Sequence, residues 1–184
     1  MYKERFMTAI KRTQNFDLSL PQIQFSKGKL LTDELHSKFP FMLRDEVGEI
    51  GIEELVGECL SIHLKLREPL SRIVNAPCIY TIGYVETAER NMFHQTDESL
   101  KALLRDGMQS LSLNIHAWLT LPTMEIVDFS LPTTYAVVNR DQQGVGAIIA
   151  NHPDSLVRGL KYHPMLVGED FLRRIGALKD FFAF

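Results

Sequence analysis

The chain has 184 residues, of which 45% are hydrophobic and 23% are charged, and its formal net charge is −3. A chain of this length is typical of one domain that buries roughly 70% of the surface exposed when it is unfolded. The small negative charge, with a pI near 6.1, gives no field that would attract nucleic acid or an anionic membrane. We therefore predict a single globular domain over residues 1–184, with no nucleic-acid partner.

The start of the chain carries charged residues throughout and lacks the apolar core of a signal peptide. No apolar run approaches the ~20 residues that span a bilayer. Cys59 and Cys78 are the only cysteines, so a disulfide framework is not expected. The sequence predicts a cytoplasmic protein with reduced thiols and no membrane segment.

Hydrophobic periodicity and turn residues divide the chain into helices first and strands afterwards. The first helix should bury Phe6, Met7 and Ile10, and Thr32 and Thr96 should each lie at the start of a later helix. The predicted helices lie over residues 2–14, from Thr32, from Cys59, over 95–109 and from Gly168 to Phe182. The predicted strands lie over residues 76–85, 113–121, 125–131, 133–139 and 145–150. His163 is predicted to lie in a loop. Helices followed by mainly antiparallel strands indicate the α+β class.

An acidic segment precedes the first cysteine. Residues 45–58 contain six carboxylates and neither lysine nor arginine. They include no Asp-x-Asp-x-Asp-Gly loop, so a solvated acidic face is favoured over a calcium site. The helix that follows from Cys59 should end or bend near Arg67, because Pro69 lacks an N–H and clashes with the preceding turn.

Strand parity relates a histidine to an aspartate. His116 and Asp128 each lie opposite the more apolar side of their predicted strand. If the apolar sides of both strands cover one core, the two polar side chains share the other face. This arrangement requires an odd connection, such as the three residues 122–124, or a bulge. His116 would then lie diagonally from Asp128, with about 7–8 Å between their Cα atoms.

Thiol, imidazole and carboxylate follow one another along the chain as Cys59, His116 and Asp128. A thiol attacks as thiolate, which needs a neighbouring base, and the base needs a partner that fixes its tautomer. The positive end of a helix would favour the thiolate of Cys59, and the N–H of Cys59 could donate to an oxyanion. Gln22 and Gln24 are candidates for the second oxyanion donor.

Each candidate has a structural alternative. Cys59 could be a small buried hydrophobic residue, His116 a hydrogen-bonded histidine, and Asp128 a strand-end residue that binds a turn. His63 lies one helical turn after Cys59 and could be a rival base or a metal ligand, although these two residues alone supply too few ligands for zinc. Cys78 follows a proline at a strand start and should be buried and inert.

Three segments resemble one known family. Residues 116–130, beginning His-Ala-Trp and including Val-Asp-Phe-Ser, are similar to the His–Asp hairpin of transglutaminase-like proteins, which have the papain-like cysteine protease fold. The Gly-x-Cys of residues 57–60 resembles the start of that family's central helix. Residues 75–85 resemble the strand that follows that helix. The resemblance implies a central Cys-bearing helix packed on a mainly antiparallel sheet with flanking helices, and a catalytic triad of Cys59, His116 and Asp128.

These observations lead to an enzyme hypothesis and an alternative. The enzyme would be a cysteine hydrolase, peptidase or acyltransferase that forms a Cys59 thioester with an amide, peptide or isopeptide substrate. His116 would act as base and then acid, Asp128 would orient it, and neither a cofactor nor a metal would be needed. The alternative is a non-catalytic peptide- or protein-binding domain with the same fold. Hydrolysis and transfer to an amine both remain open.

Overall fold

The computed structural model describes residues 1–110, 113–157 and 159–178 of the chain. Within these residues the protein is mixed α+β, as predicted, with helices and antiparallel strand pairs. The helices are α1 (Tyr2–Asn15), α2 (Asp33–Val47), α3 (Cys59–Val74), α4 (Asp97–Asp106), α5 (Leu131–Val138) and α6 (Asp170–Arg174). The strands are β1 (Ile79–Glu86), β2 (Asn91–Met92), β3 (His116–Thr120), β4 (Ile126–Asp128), β5 (Ile149–Asn151) and β6 (Lys161–Val167).

The chain divides into two compact units that alternate along the sequence. The first comprises Met1–Gln22, Thr81–His116 and the segment from Val157 onward, and the second comprises Ile23–Tyr80 and Ala117–Leu156. Whether they form one domain stays a prediction. In the part of the chain that is described, no helix is both long enough and apolar enough to cross a membrane.

In the first unit, β1 lies between β2 and β6 in antiparallel pairing, and α1 packs against β6. Thr13 fixes this packing: its hydroxyl donates to the carbonyl of Ala9 at 2.8 Å and accepts the N–H of Val167 at 2.9 Å. The predicted buried side of α1 is partly wrong. Met7 is 37% exposed, whereas Phe6 is fully buried. The buried face is instead the stripe Tyr2, Phe6, Ala9 and Thr13, at the three- to four-residue spacing of one helix face.

In the second unit, β4 lies between β3 and β5, and α2 packs against α3. Leu119 pairs with Val127 across β3 and β4. The N–H of Leu121 donates to the carbonyl of Glu125 at 2.8 Å, so residues 122–124 form a three-residue loop. Met124 adopts φ 70°, as the last residue of such a loop commonly does. The predicted odd connection is confirmed.

A buried carboxylate anchors this hairpin loop. Glu125 is almost fully buried. Its carboxylate oxygens accept the N–H groups of Leu30 at 2.7 Å and Leu31 at 3.1 Å, and the hydroxyl of Thr123 at 2.6 Å. A buried charge is tolerated when it is hydrogen-bonded in this way. The segment before α2 is therefore held against the loop between β3 and β4.

The predicted helix starts are confirmed at two threonines. The hydroxyl of Thr32 accepts the N–H of Leu35 at 3.2 Å, and that of Thr96 accepts the N–H of Ser99 at 3.1 Å. Both threonines precede an acidic first turn, which complements the helix dipole.

The predicted end of α3 near Arg67 is wrong, because the helix continues to Val74 with Pro69 inside it, whereas the alternative of a bend near Arg67 stays a prediction. A proline within a helix costs roughly 3 kcal/mol through its lost N–H and the clash with the preceding turn. Here Pro69 is buried on the same helix that buries Leu66 and Leu70. Burial of this apolar face, at roughly 1.5–3 kcal/mol for each large side chain, outweighs the local preference.

Two other predicted elements are wrong. Residues 133–139 are not a strand, because Leu131–Val138 forms α5, with a proline in its first turn. His163 is not in a loop, because it belongs to β6, which also contains Pro164. The pairing of β1 with β6 shifts register between Ile82 and Gly83, and a proline is tolerated at such an irregularity. Of the predicted last helix, Asp170–Arg174 is observed as α6, whereas Phe181 and Phe182 lie outside the described residues.

Candidate active site

Cys59 is the first residue of the 16-residue helix α3, as predicted. It is 9% exposed. The chain reaches it through Gly57, whose φ of 74° favours glycine. The N–H of Gly57 donates to the hydroxyl of Thr134 at 3.2 Å, and that hydroxyl donates to the carbonyl of Leu55 at 3.3 Å. Helix α5 therefore holds the segment that leads into Cys59.

Asp128 ends β4, is fully buried, and organises the start of α5. Its Oδ1 accepts the N–H groups of Ser130 and Leu131, each at 3.0 Å, and the hydroxyl of Ser130 at 3.3 Å. This is an Asx-type turn, in which a carboxylate satisfies N–H groups at the beginning of a helix. Asp128 therefore binds a turn, as its structural alternative in the sequence analysis predicted.

His63 joins the segments that contain Cys59 and Asp128. Its Nδ1 is 2.7 Å from the carbonyl oxygen of Cys59, and its Nε2 accepts the N–H of Phe129 at 3.0 Å. Its Nε2 also lies 3.5 Å from Oδ1 of Asp128, and both side chains are fully buried. Because each ring nitrogen of His63 has a backbone partner, the metal-ligand and rival-base interpretations lose support. Among the residues described, no group of three or more His, Cys, Asp or Glu side chains could hold a metal ion.

His116, the proposed base, is the first residue of β3 and belongs to the first unit. It is buried, and its ring stacks on Phe93 with 5.2 Å between centroids and 21° between planes. Its centroid lies 6.5 Å from that of Tyr162. Cys59 and Asp128 belong to the second unit, where His63 links their segments. The approach of His116 to Cys59 and to Asp128 stays a prediction.

A pocket of about 370 Å³ lies beside the first turns of α3. Lys65 binds Glu54 at 2.5 Å, and the pKa of the Glu54 carboxyl is lowered mainly by this hydrogen bond. The hydroxyl of Ser61 donates to the carboxylate of Glu58 at 2.7 Å. The pocket is lined by Glu53, Glu54, Glu58, Ser61, Ile62 and Lys65. Five of the six acidic residues of segment 45–58 are exposed, so this segment is a solvated face, as predicted, and its end also borders the pocket.

Cys78, the second thiol, lies four residues beyond the end of α3. It is buried, as predicted, and this burial raises the pKa of its thiol to about 12. Its N–H donates to the hydroxyl of Ser71 at 2.9 Å. A thiol that stays protonated over the physiological range is a poor nucleophile, so Cys78 serves as an internal reference for Cys59.

The sequence interpretation missed a cluster of ionisable residues on the first unit. Tyr84 pairs with His163 and Glu86 with Lys161 across β1 and β6, so all four side chains lie on one face. Glu86 binds Lys161 at 2.6 Å and His163 at 2.8 Å, and the ring of Tyr84 stacks on that of His163. Recognising residues 161–167 as a strand would have aligned Lys161 and His163 on one face. The proline at 164 concealed that strand.

Comparison with protein-family models, curated proteins and solved structures found no match for this chain. Its membership of the transglutaminase-like superfamily and the papain-like form of its α+β fold therefore remain expectations from residues 57–131.

Proposed function

We propose that this protein is a cysteine-dependent acyl-transfer enzyme of the transglutaminase-like superfamily, with a papain-like fold. The observation that carries the proposal is the position of Cys59 as the first residue of a long helix, whose neighbouring residues Glu58 and Ile62 line a pocket. Backbone N–H groups at a helix start lack partners within the helix, and the helix dipole there stabilises negative charge. A thiolate and an oxyanion both benefit from such a position.

The proposed reaction has two stages. The Cys59 thiolate attacks the carbonyl carbon of an amide, the C–N bond breaks, and His116 as imidazolium gives a proton to the departing amine. Water or a second amine, deprotonated by His116, then attacks the thioester and releases Cys59 as thiolate. Asp128 orients the ring of His116 throughout. The backbone N–H of Cys59 donates to the oxyanion, and Gln22 and Gln24 remain candidates for the second donor.

The substrate class follows from the chemistry of a thioester. A peptide, a protein or another amide-containing molecule supplies the acyl group, and the pocket along the first turns of α3 would receive part of it. Hydrolysis and transfer to an amine share every step up to the thioester. They differ only in which nucleophile reaches the thioester carbon.

A second candidate is a non-catalytic domain that binds a peptide or protein. Two observations favour it: Cys59 is 9% exposed, and Oδ1 of Asp128 is engaged by three donors at the start of α5. In this case the same pocket would recognise a partner and Cys59 would contribute only packing.

Alkylation by iodoacetamide, followed residue by residue with mass spectrometry, separates the two candidates. In the wild type, Cys59 should react much faster than Cys78, whose thiol has a pKa near 12. At pH 6.5, His116→Ala should slow alkylation of Cys59 by on the order of 100-fold, because only the thiolate reacts and an uncoupled thiol is only about 1% thiolate at that pH. Cys78→Ala is the matched control and should leave the rate at Cys59 unchanged.

The contrary outcome is equally definite. If Cys59 reacts as slowly as Cys78, or if its rate does not change in a folded His116→Ala variant, the thiol and imidazole are not coupled. The protein would then be assigned to the binding class. Thermal melting of each variant establishes that it is folded.

A further inference from the structure

The contacts of His63 fix its protonation state. The carbonyl of Cys59 can only accept a hydrogen bond, so Nδ1 of His63, at 2.7 Å, must carry a proton. The N–H of Phe129 can only donate, so Nε2 of His63, at 3.0 Å, must present its lone pair. Two backbone partners thus select the same neutral tautomer of the imidazole, against Oδ1 of Asp128, which lies farther from Nε2 at 3.5 Å and would favour an imidazolium.

The same ring connects two separate segments of the second unit. One partner is the backbone of Cys59, at the first residue of α3, and the other is the residue that follows Asp128 at the end of β4. His63 is fully buried, and its ring packs against that of Phe129 with 5.6 Å between centroids. A rigid, buried ring with a bond at each end sets the distance between the segments that it joins.

We infer that His63 is a positioning residue that holds the backbone of Cys59 in register with the end of β4, where Asp128 lies. The inference rests on the proposed function, because positioning affects chemistry only if Cys59 is the nucleophile. It assigns His63 no proton transfer in the reaction. Its effect is geometric, and a displacement of about 1 Å in an active site can cost on the order of 100-fold in rate.

The first test uses the wild-type protein and requires no substitution. Imidazole ¹⁵N NMR should show Nδ1 of His63 protonated and Nε2 unprotonated at neutral pH. The opposite tautomer, or an imidazolium, would overturn the inference, because neither is compatible with both backbone bonds. This result does not depend on any reactivity of Cys59.

Two substitutions separate the two bonds. His63→Asn keeps a donor near the position of Nδ1, and His63→Gln keeps an acceptor near the position of Nε2, whereas His63→Leu removes both. Hydrogen exchange at the Phe129 amide should accelerate most in His63→Leu and His63→Asn, and least in His63→Gln. The amide of Val167, in the first unit, should exchange at an unchanged rate in all three variants.

Alkylation of Cys59 gives the functional measurement, and added imidazole tests whether the ring itself is required. His63→Ala should slow alkylation by on the order of 10- to 100-fold, and imidazole should restore part of that loss by occupying the vacated site. His63→Leu fills the site and should show no rescue. His163→Leu, which alters the first unit, is the control and should leave the rate at Cys59 unchanged.

The outcomes distinguish this inference from the proposed function. Slow alkylation of Cys59 in the wild type, insensitive to His116→Ala, would reject the proposed function even if the tautomer of His63 and the exchange at Phe129 are as expected. The positioning role alone would be rejected by a different result. In that case alkylation shows that Cys59 is coupled to His116, but a folded His63→Leu variant has a normal rate of alkylation and unchanged hydrogen exchange at Phe129.

Discussion

Two histidine–carboxylate pairs, one in each unit, show how differently the same chemistry can be used. In the second unit, His63 and Asp128 are fully buried, with 3.5 Å between Nε2 and Oδ1. In the first unit, the side chains of His163 and Glu86 are 16% and 33% exposed, with 2.8 Å between Nε2 and Oε2. The shorter contact is therefore the one that water and salt can reach.

The difference lies in what else each pair binds. Nε2 of His63 accepts a backbone N–H, and Oδ1 of Asp128 accepts two more. A second proton on His63 would remove the acceptor of the Phe129 N–H, so the bonds hold that ring neutral. Glu86 instead binds the side chains of His163 and Lys161. The buried pair organises backbone, whereas the exposed pair organises surface charge.

The largest expected effect comes from breaking the buried pair at Asp128. Asp128→Ala leaves the N–H groups of Ser130 and Leu131 without their acceptor and should destabilise the protein by roughly 2–4 kcal/mol. Glu86→Ala, the matched change in the exposed pair, should cost much less, because water screens an ion pair that is partly exposed. Urea unfolding followed by circular dichroism measures both.

Asp128→Asn sharpens this comparison, because the amide keeps an oxygen for the two N–H groups but loses the charge. It should retain most of the stability that Asp128→Ala loses, while still slowing alkylation of Cys59 if Asp128 orients His116. Equal losses of stability in Asp128→Ala and Glu86→Ala would show that burial does not distinguish the two pairs.

The buried pair also shows what the sequence could and could not predict. Alternation of apolar residues and the requirement for an odd loop correctly predicted the connection between β3 and β4. Helix starts at Thr32 and Thr96 were recognised, because their capping bonds are local. In each of these cases the signal lies within a few residues of the element that it specifies.

Elements that depend on tertiary packing were predicted wrongly or missed. Pro69 lies inside α3 because that face of the helix is buried, and Pro164 lies inside β6 at an irregular pairing with β1. The two partners of His63 are separated along the chain, since Phe129 lies 66 residues after it. No local pattern reports such a bond. By contrast, Asp128 followed by Ser130 and Pro132 is a local helix-start signal, which the sequence interpretation read as strand.

A smaller effect is expected from pH, and it should come from the exposed pair. Burial, and after it the charge of Arg5, lowers the pKa of His163 below its ordinary 6.5. The folded state therefore resists protonation more than the unfolded state does. The contribution of His163 to stability should be complete above pH 6.5 and be lost as pH falls through the lowered pKa.

Unfolding by urea at a series of pH values tests this dependence, with His163→Gln as the comparison. The difference in stability between wild type and variant should change below pH 6.5 and be constant above it. The comparison stops at pH 4.5, because Glu86, whose pKa is lowered, begins to contribute below it. If the difference in stability between wild type and variant is constant down to that pH, the pKa of His163 is the same in the folded and unfolded states.

The smallest effect should come from the cation at the edge of the exposed pair. The pKa of the Glu86 carboxyl lies below its ordinary 4.5. The hydrogen bond from Lys161 is the main cause, and the hydrogen bond from His163 is the second. Lys161→Met should therefore raise the pKa of Glu86 in a carboxyl ¹³C NMR titration, while changing the free energy of unfolding less than either carboxylate substitution does. Salt should weaken the effect in the wild type, because the side chains of Lys161 and Glu86 are 51% and 33% exposed. A titration of Glu86 that is identical in both proteins would mean that Lys161 does not lower the pKa of this carboxyl and that His163 is its effective partner.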